Sequence, residues 1–222
     1  MLLRKNRSFE RTEPSKDAKK IYIFCEGTKR EFHYFNYFKE IDSRINIVVH
    51  ELDDQEDNSP LGLYAKACAS IIATEENPTP KYECIEGDEV WIVLDTDLDK
   101  VDSRAAKIEE VKKKCNEQNW DVVESNPCFE VWLYYHFASE RPQNIGDDHL
   151  ACITWKGIVN REIPGGFNSR KHPLNIETAV ENSSKNYEDS NGRPSVGTTQ
   201  VFRLSQSFLP LLKEKLDKAK AE

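Results

Sequence analysis

Apolar residues fall along this chain in two rhythms. "KIYIFC", residues 20–25, is a near-continuous apolar run of strand length, the pattern of a short buried strand. Behind it Phe32, Phe35, Phe38 and Ile41 recur at helical spacing. "INIVVHEL" (45–52) predicts a second strand, and Leu61, Tyr64, Ala65, Cys68, Ile71 and Ile72 a second amphipathic helix. "EVWIVLD" (89–95) is the clearest strand, apolar without alternation as in parallel sheets covered on both faces. Val101, Ala105, Ile108, Val111 and Cys115 then mark a third helix, "WDVVES" (120–125) a fourth strand, and "PCFEVWLYYHF" (127–137) a largely buried helix with Pro127 in its first turn.

The order β-α-β-α-β-α-β-α predicts a Rossmann-like α/β fold, a parallel sheet flanked by helices. Residues 1–17 are charged and without a signal-peptide core, which predicts a mobile N-terminal segment. Residues 18–138 form the sheet domain, and 139–222 a helical and loop extension packing on the core. In that extension a short helix is expected at 149–160, with two more near 174–188 and 197–219. Pro210 is expected to kink the last.

Composition narrows the function. The 222 residues are 32% charged and 38% hydrophobic, with a formal net charge of −8. No apolar stretch approaches the roughly 20 residues a membrane helix needs. An acidic chain is a poor non-specific coat for nucleic acid, although an enzyme working through bound metal is compatible with that charge. The six cysteines are scattered without a C-x-x-C pair, as expected of reduced thiols in a cytoplasmic protein and not of a zinc site. A phosphate loop of the G-x-x-x-x-G-K-[ST] type is missing, so the chain carries no ATPase engine of its own.

The chemistry lies in the acids. Glu26 follows the first strand, and "VLDTDLDK" puts Asp95, Asp97 and Asp99 where the third strand runs out. Carboxylate oxygens suit Mg²⁺ or Mn²⁺, which makes Glu26, Asp95, Asp97 and Asp99 all candidate metal ligands, and α/β sheets bind ligands beyond the carboxyl ends of their strands. An EF-hand starting at Asp95 would need glycine at Lys100 and glutamate at Ala106, and has neither. An aspartyl phosphatase has no need of Glu26. Helix capping accounts for Asp99 or Asp102 as readily as metal binding does, but Asp95 and Asp97 stand too far ahead of the helix.

"FCEGTKREFHYF", "DEVWIVLDTD" and "SNPCFEVWLYYHF", with a weaker "RPSVGTTQVFRL", resemble the Toprim fold of topoisomerases, bacterial primases and OLD-type nucleases. More closely they resemble the RloB-like proteins, a branch of Toprim nucleases encoded in prokaryotic defence and restriction-associated loci. The resemblance covers residues 18–138 and, more loosely, 192–212. It implies a metal-dependent nuclease cutting RNA or DNA in antiviral defence, with Glu26 as general acid/base, Asp95 and Asp97 on Mg²⁺ or Mn²⁺, and an ATPase partner from the same locus. A homodimer is an allowed assembly. The alternative is a catalytically inactive Toprim-fold regulatory or nucleic-acid-binding subunit.

Other residues are candidates on their own chemistry. Glu31 is either a second-metal ligand or an exposed first-turn acid, and Glu130, on a helix otherwise apolar, calls for a metal or a partner. Lys29 and Arg30 are either phosphate contacts or a solvated helix face. Ser125 and Asn126 suit an N-cap. Arg170 and Lys171 in "GGFNSRKH" form the best basic patch for a nucleic-acid backbone, with Phe167 placed to stack on a base.

Overall fold

The computed structural model describes residues 10–53, 56–97, 101–143 and 151–221, without the side chains of 101–103. Asp99 and Asp102 thus fall outside the described side chains. Four strands, β1 (Lys19–Cys25), β2 (Ile45–Val49), β3 (Glu89–Asp95) and β4 (Asp121–Asn126), are joined by helices α1 (Arg30–Asn36), α2 (Pro60–Ile71) and α3 (Val101–Glu117). The rest comprises α4 (Glu130–Tyr134), α5 (Cys152–Glu162), a 3₁₀ turn (His172–Asn175), α6 (Ile176–Lys185), the short pair β5 (Asp189–Ser190) and β6 (Arg193–Pro194), β7 (Thr198–Thr199) and α7 (Val201–Ala221). The central sheet runs β2-β1-β3-β4-β7, with β1 to β4 parallel and β7 antiparallel at the edge of β4. This is the Rossmann-like α/β arrangement that the alternating pattern predicts. No helix among the described residues is long and apolar enough to cross a membrane.

The strands feed two cores. Ile21, Ile23, Cys25, Val93 and Val123 point to one face, under α1, α4, α5, α6 and α7. Tyr22, Phe24, Val90, Ile92 and Leu94 point to the other, under α2 and α3. Both faces of β1 and β3 are therefore dry, which is why their apolar runs are unbroken. Burying each of these side chains contributes about 1.5–3 kcal/mol.

Several local expectations are corrected. The first helix stops at Asn36, not Ile41, because the chain closes into 3₁₀-type turns at Tyr37 and Phe38 and reverses at Glu40, whose φ of +61° no right-handed helix contains. Pro127 does not open α4, which begins three residues later. It follows a cis peptide bond to Asn126, in the turn that leaves β4. Ser125 and Asn126 are not N-caps: Ser125 pairs with the Thr199 hydroxyl at 2.7 Å, and the Asn126 amide donates to the Pro194 carbonyl at 2.7 Å.

These bonds bring "SNP" and "RPSVGTTQ" together. The Gly197 N–H donates to the Asn126 carbonyl at 2.8 Å, the Gln200 N–H to that of Glu124 at 2.8 Å, and the Tyr135 hydroxyl to that of Gly197 at 2.8 Å. Gly197 has φ +78°, and a Cβ there would stand 3.2 Å from the Trp155 ring. Glycine suits both constraints.

Candidate functional site

From β1 the chain moves outward to β2, then returns past β1 to β3. The gap between the carboxyl ends of β1 and β3 is thus the point where the winding changes direction, the usual ligand crevice of such sheets. Cys25 is in register with Val93, so the two strands end together and Glu26 and Asp95 leave them one register step apart. The Asp95 N–H donates to Glu26 Oε1 at 3.3 Å.

Asp97 turns in behind them. Its φ of +45° is the left-handed region, where aspartate is among the few non-glycine residues tolerated. Its N–H holds the strained backbone by donating to the Pro127 carbonyl at 3.0 Å. The Cys152 thiol, at the start of α5, donates to Asp97 Oδ1 at 3.2 Å. One donor atom each from Asp95, Asp97 and Cys152 fall within 4.8 Å of one another.

Glu31 and Glu130 complete the acidic floor. Glu31 is 8% exposed, which removes the exposed first-turn reading. Glu130, 5% exposed, pairs with Arg30 Nη1 at 3.2 Å, so Arg30 is not simply part of a solvated face. Burial drives Glu26 up to about 8, with Asp97 adding to the shift and Arg104 opposing it. It drives Glu31 up to about 7, with Glu130 the largest charge in that direction. Asp95 is pushed well above the carboxylate range by burial and then by Glu31, Glu26 and Glu130.

Carboxylates that raise one another in this way fit a divalent cation, which relieves both burial and repulsion. The oxygen donors suit Mg²⁺ or Mn²⁺, and the thiol is the one soft atom in the set. Asp95 and Asp97 would hold the ion, with Glu31 and Glu130 near.

Two participants are not evident in the sequence. Cys152 reaches Asp97 from a segment fifty-five residues on. Arg104, on α3, forms an ion pair with Glu26. A guanidinium placed on the helix that follows the acidic strand was the available signal, since α3 must start at the crevice rim.

The basic candidates are scattered. Lys29 is exposed just ahead of α1. Arg170 and Lys171 are exposed, and neither forms an ion pair with another described residue. Phe167 is not free to stack on a base: its ring packs 5.1 Å from His136, 5.3 Å from His172 and 6.1 Å from Tyr34, between centroids. His136 is a core residue. Burial lowers it to about 3, its Nδ1–H donates to the Trp132 carbonyl at 3.1 Å, and Nε2 therefore accepts from the Tyr34 hydroxyl at 3.1 Å.

A family model described as RloB-like protein matches residues 21–207, running through the extension as well as the sheet. The chain belongs to the RloB-like family. No curated protein and no solved structure matches it. Family membership covers β1, the acidic end of β3, the turn into α4 and the β7 edge, the segments that build the crevice.

Proposed function

We propose that this RloB-like chain is a metal-dependent nuclease of the Toprim type that cleaves a phosphodiester of RNA or DNA as an effector of prokaryotic antiviral defence. The observation that carries the reading is the meeting of Glu26 with Asp95 and Asp97 at the crevice between β1 and β3. Glu26 and Asp95, each raised by burial and by neighbouring acids, have little structural reason to share a site with a third carboxylate.

In this reading Asp95 and Asp97 hold Mg²⁺ or Mn²⁺, with Glu31 and Glu130 as further acidic contributors. The ion, when bound, neutralises charge building on the phosphoryl oxygens and makes water a better nucleophile. Glu26, whose side chain is 12% exposed, moves the proton at its carboxylate. Burial raises the Glu26 carboxyl to about 8 in the metal-free protein, and beside a bound cation it falls from there toward the range of a base at neutral pH. Arg30 and Lys29 stand at the α1 rim, where a phosphate backbone would pass. The regulatory partner is a neighbouring ATPase that docks on 139–191 and restrains the nuclease until infection.

The direct test is incubation of the purified protein, with and without its genomic neighbour, with tRNA, plasmid and single strands in Mg²⁺ or Mn²⁺. Metal-dependent cleavage is expected, and Glu26→Gln should slow it by about 10²–10⁴-fold while leaving most metal binding intact. Near-wild-type turnover by Glu26→Gln moves the role to another acid, with Glu130 next. Metal binding without cleavage of any substrate favours the inactive regulatory subunit.

A further inference from the structure

Arg104 sits where a metal site has least use for a positive charge. Its side chain is 15% exposed, its Nη2 is paired with Glu26 Oε1, and its Nε lies 3.9 Å from Asp97 Oδ2. Nη2 and Nε also donate to the main-chain carbonyl of Asp95, at 2.8 and 3.1 Å. The planar fork of arginine is what allows one side chain to grip a carboxylate and a carbonyl together.

These contacts sort the acids. Glu26 Oε1 takes two donors, from Arg104 and from the Asp95 N–H. Asp95 is gripped through its backbone, so its carboxylate stays clear of those bonds. The donor atoms that converge within 4.8 Å belong to Asp95, Asp97 and Cys152, and Glu26 is not among them. A carboxylate this close to two ligands would itself bind the cation if nothing held it, since Mg²⁺ and Mn²⁺ take whatever oxygen is offered at short range. As a ligand, Glu26 would have its charge held by the ion and would be a weaker base for a proton.

We infer that Arg104 is a positioning residue that holds Glu26 out of the cation's ligand set and so reserves it for proton transfer. The inference rests on the metal-dependent reading above and adds a role for a residue on α3. Its cost is repulsion between the guanidinium and the ion, so the protein gives up metal affinity to keep the two carboxylate roles apart.

Mn²⁺ binding, followed by the resonance of the free ion, tests this without any substrate. The cycle comprises wild type, Arg104→Met, Glu26→Gln and the double variant. Arg104→Met should bind Mn²⁺ about tenfold more tightly or better, because Glu26 is released to join the ligands. In the Glu26→Gln background the same substitution should gain distinctly less, because only the lost repulsion remains. Equal gains in the two backgrounds, or no gain, would overturn the assignment. Arg104→Met should also lose turnover at saturating Mn²⁺ despite its tighter binding, and unchanged turnover counts against the role.

Should Arg104→Met fail to melt cooperatively, Arg104→Lys carries the same cycle. Its ammonium cannot span Glu26 and the Asp95 carbonyl together, and a Glu26-dependent gain of about threefold is expected. Its absence overturns the assignment. Wild-type protein that binds no Mn²⁺ at all defeats the metal reading itself, an outcome distinct from binding that ignores Arg104.

Discussion

The Asp95 N–H hydrogen-bonds Glu26 Oε1 at 3.3 Å, so the backbone of one strand end orients the carboxylate of its neighbour across sixty-nine residues of sequence. The bond exists because β1 and β3 are adjacent and parallel, with Cys25 level with Val93. It places a prospective proton-transfer group and a prospective metal ligand at fixed separation on rigid elements.

Divalent metal should therefore stabilise the folded protein through Asp95 and Asp97. At a concentration about one hundred times the dissociation constant, linkage supplies about 2.7 kcal/mol. For a chain of this size that is a rise in melting temperature of about 5–10 °C. Asp95→Asn with Asp97→Asn should remove the shift and leave the metal-free melt cooperative. Equal shifts in wild type and the double variant would exclude the pair as ligands.

Gly27 gives an independent handle on Glu31. A Cβ at Gly27 would lie 1.7 Å from Glu31 Oε2, so alanine there must displace the buried carboxylate. Gly27→Ala should consequently lose as much metal stabilisation as Glu31→Gln does, although it removes no charge. If Gly27→Ala keeps the full metal shift while Glu31→Gln loses it, the carboxylate has another place from which to reach the ion.

The same acids set a pH dependence. Glu26 and Glu31 have folded values of about 8 and about 7, above the ordinary 4.5 of the unfolded chain. A raised folded value means that the stabilisation is complete below about pH 4.5 and is lost as pH rises through 7 to 8. The melting temperature of metal-free protein should accordingly fall between about pH 5 and pH 8 and level off above it. Glu26→Gln and Glu31→Gln should each flatten the slope, and Mn²⁺ should flatten or invert it. A metal-free melt that climbs over this range would contradict the buried-carboxylate picture.

Most of the sheet and its acidic rim could be read from the sequence, because β1 and β3 are dry on both faces and the acids interrupt unbroken apolar runs. Glu26, Asp95 and Asp97 stood out for that reason. Cys152 and Arg104 did not, since each reaches the crevice through a tertiary contact that leaves no local pattern. The antiparallel β7 was also invisible: two threonines are too short for any periodicity. Phe167 misled for a related reason, its glycine-rich loop suggesting exposure where the fold supplies Tyr34 and His136 as neighbours.

That edge makes the last expectation. Ser125 Oγ and Thr199 Oγ1 are both fully buried and 2.7 Å apart, and Thr199 Oγ1 also accepts the Val201 N–H at 3.2 Å, where α7 begins. Thr199→Val strands two polar groups and should cost about 1–3 kcal/mol or more. Adding Ser125→Ala should cost less than its single effect, because the hydroxyl it removes is already unpaired. The contact also joins the two parts of the chain: Leu204, Phe208 and Leu212 of α7 share one core with Val123 and Trp132. A fragment ending at residue 138 would expose that face and should lack a cooperative melt and dispersed amide resonances. A soluble, well-dispersed 10–138 fragment would instead make everything after it an appendage, and would locate the whole acidic crevice, less Cys152, on an autonomous unit.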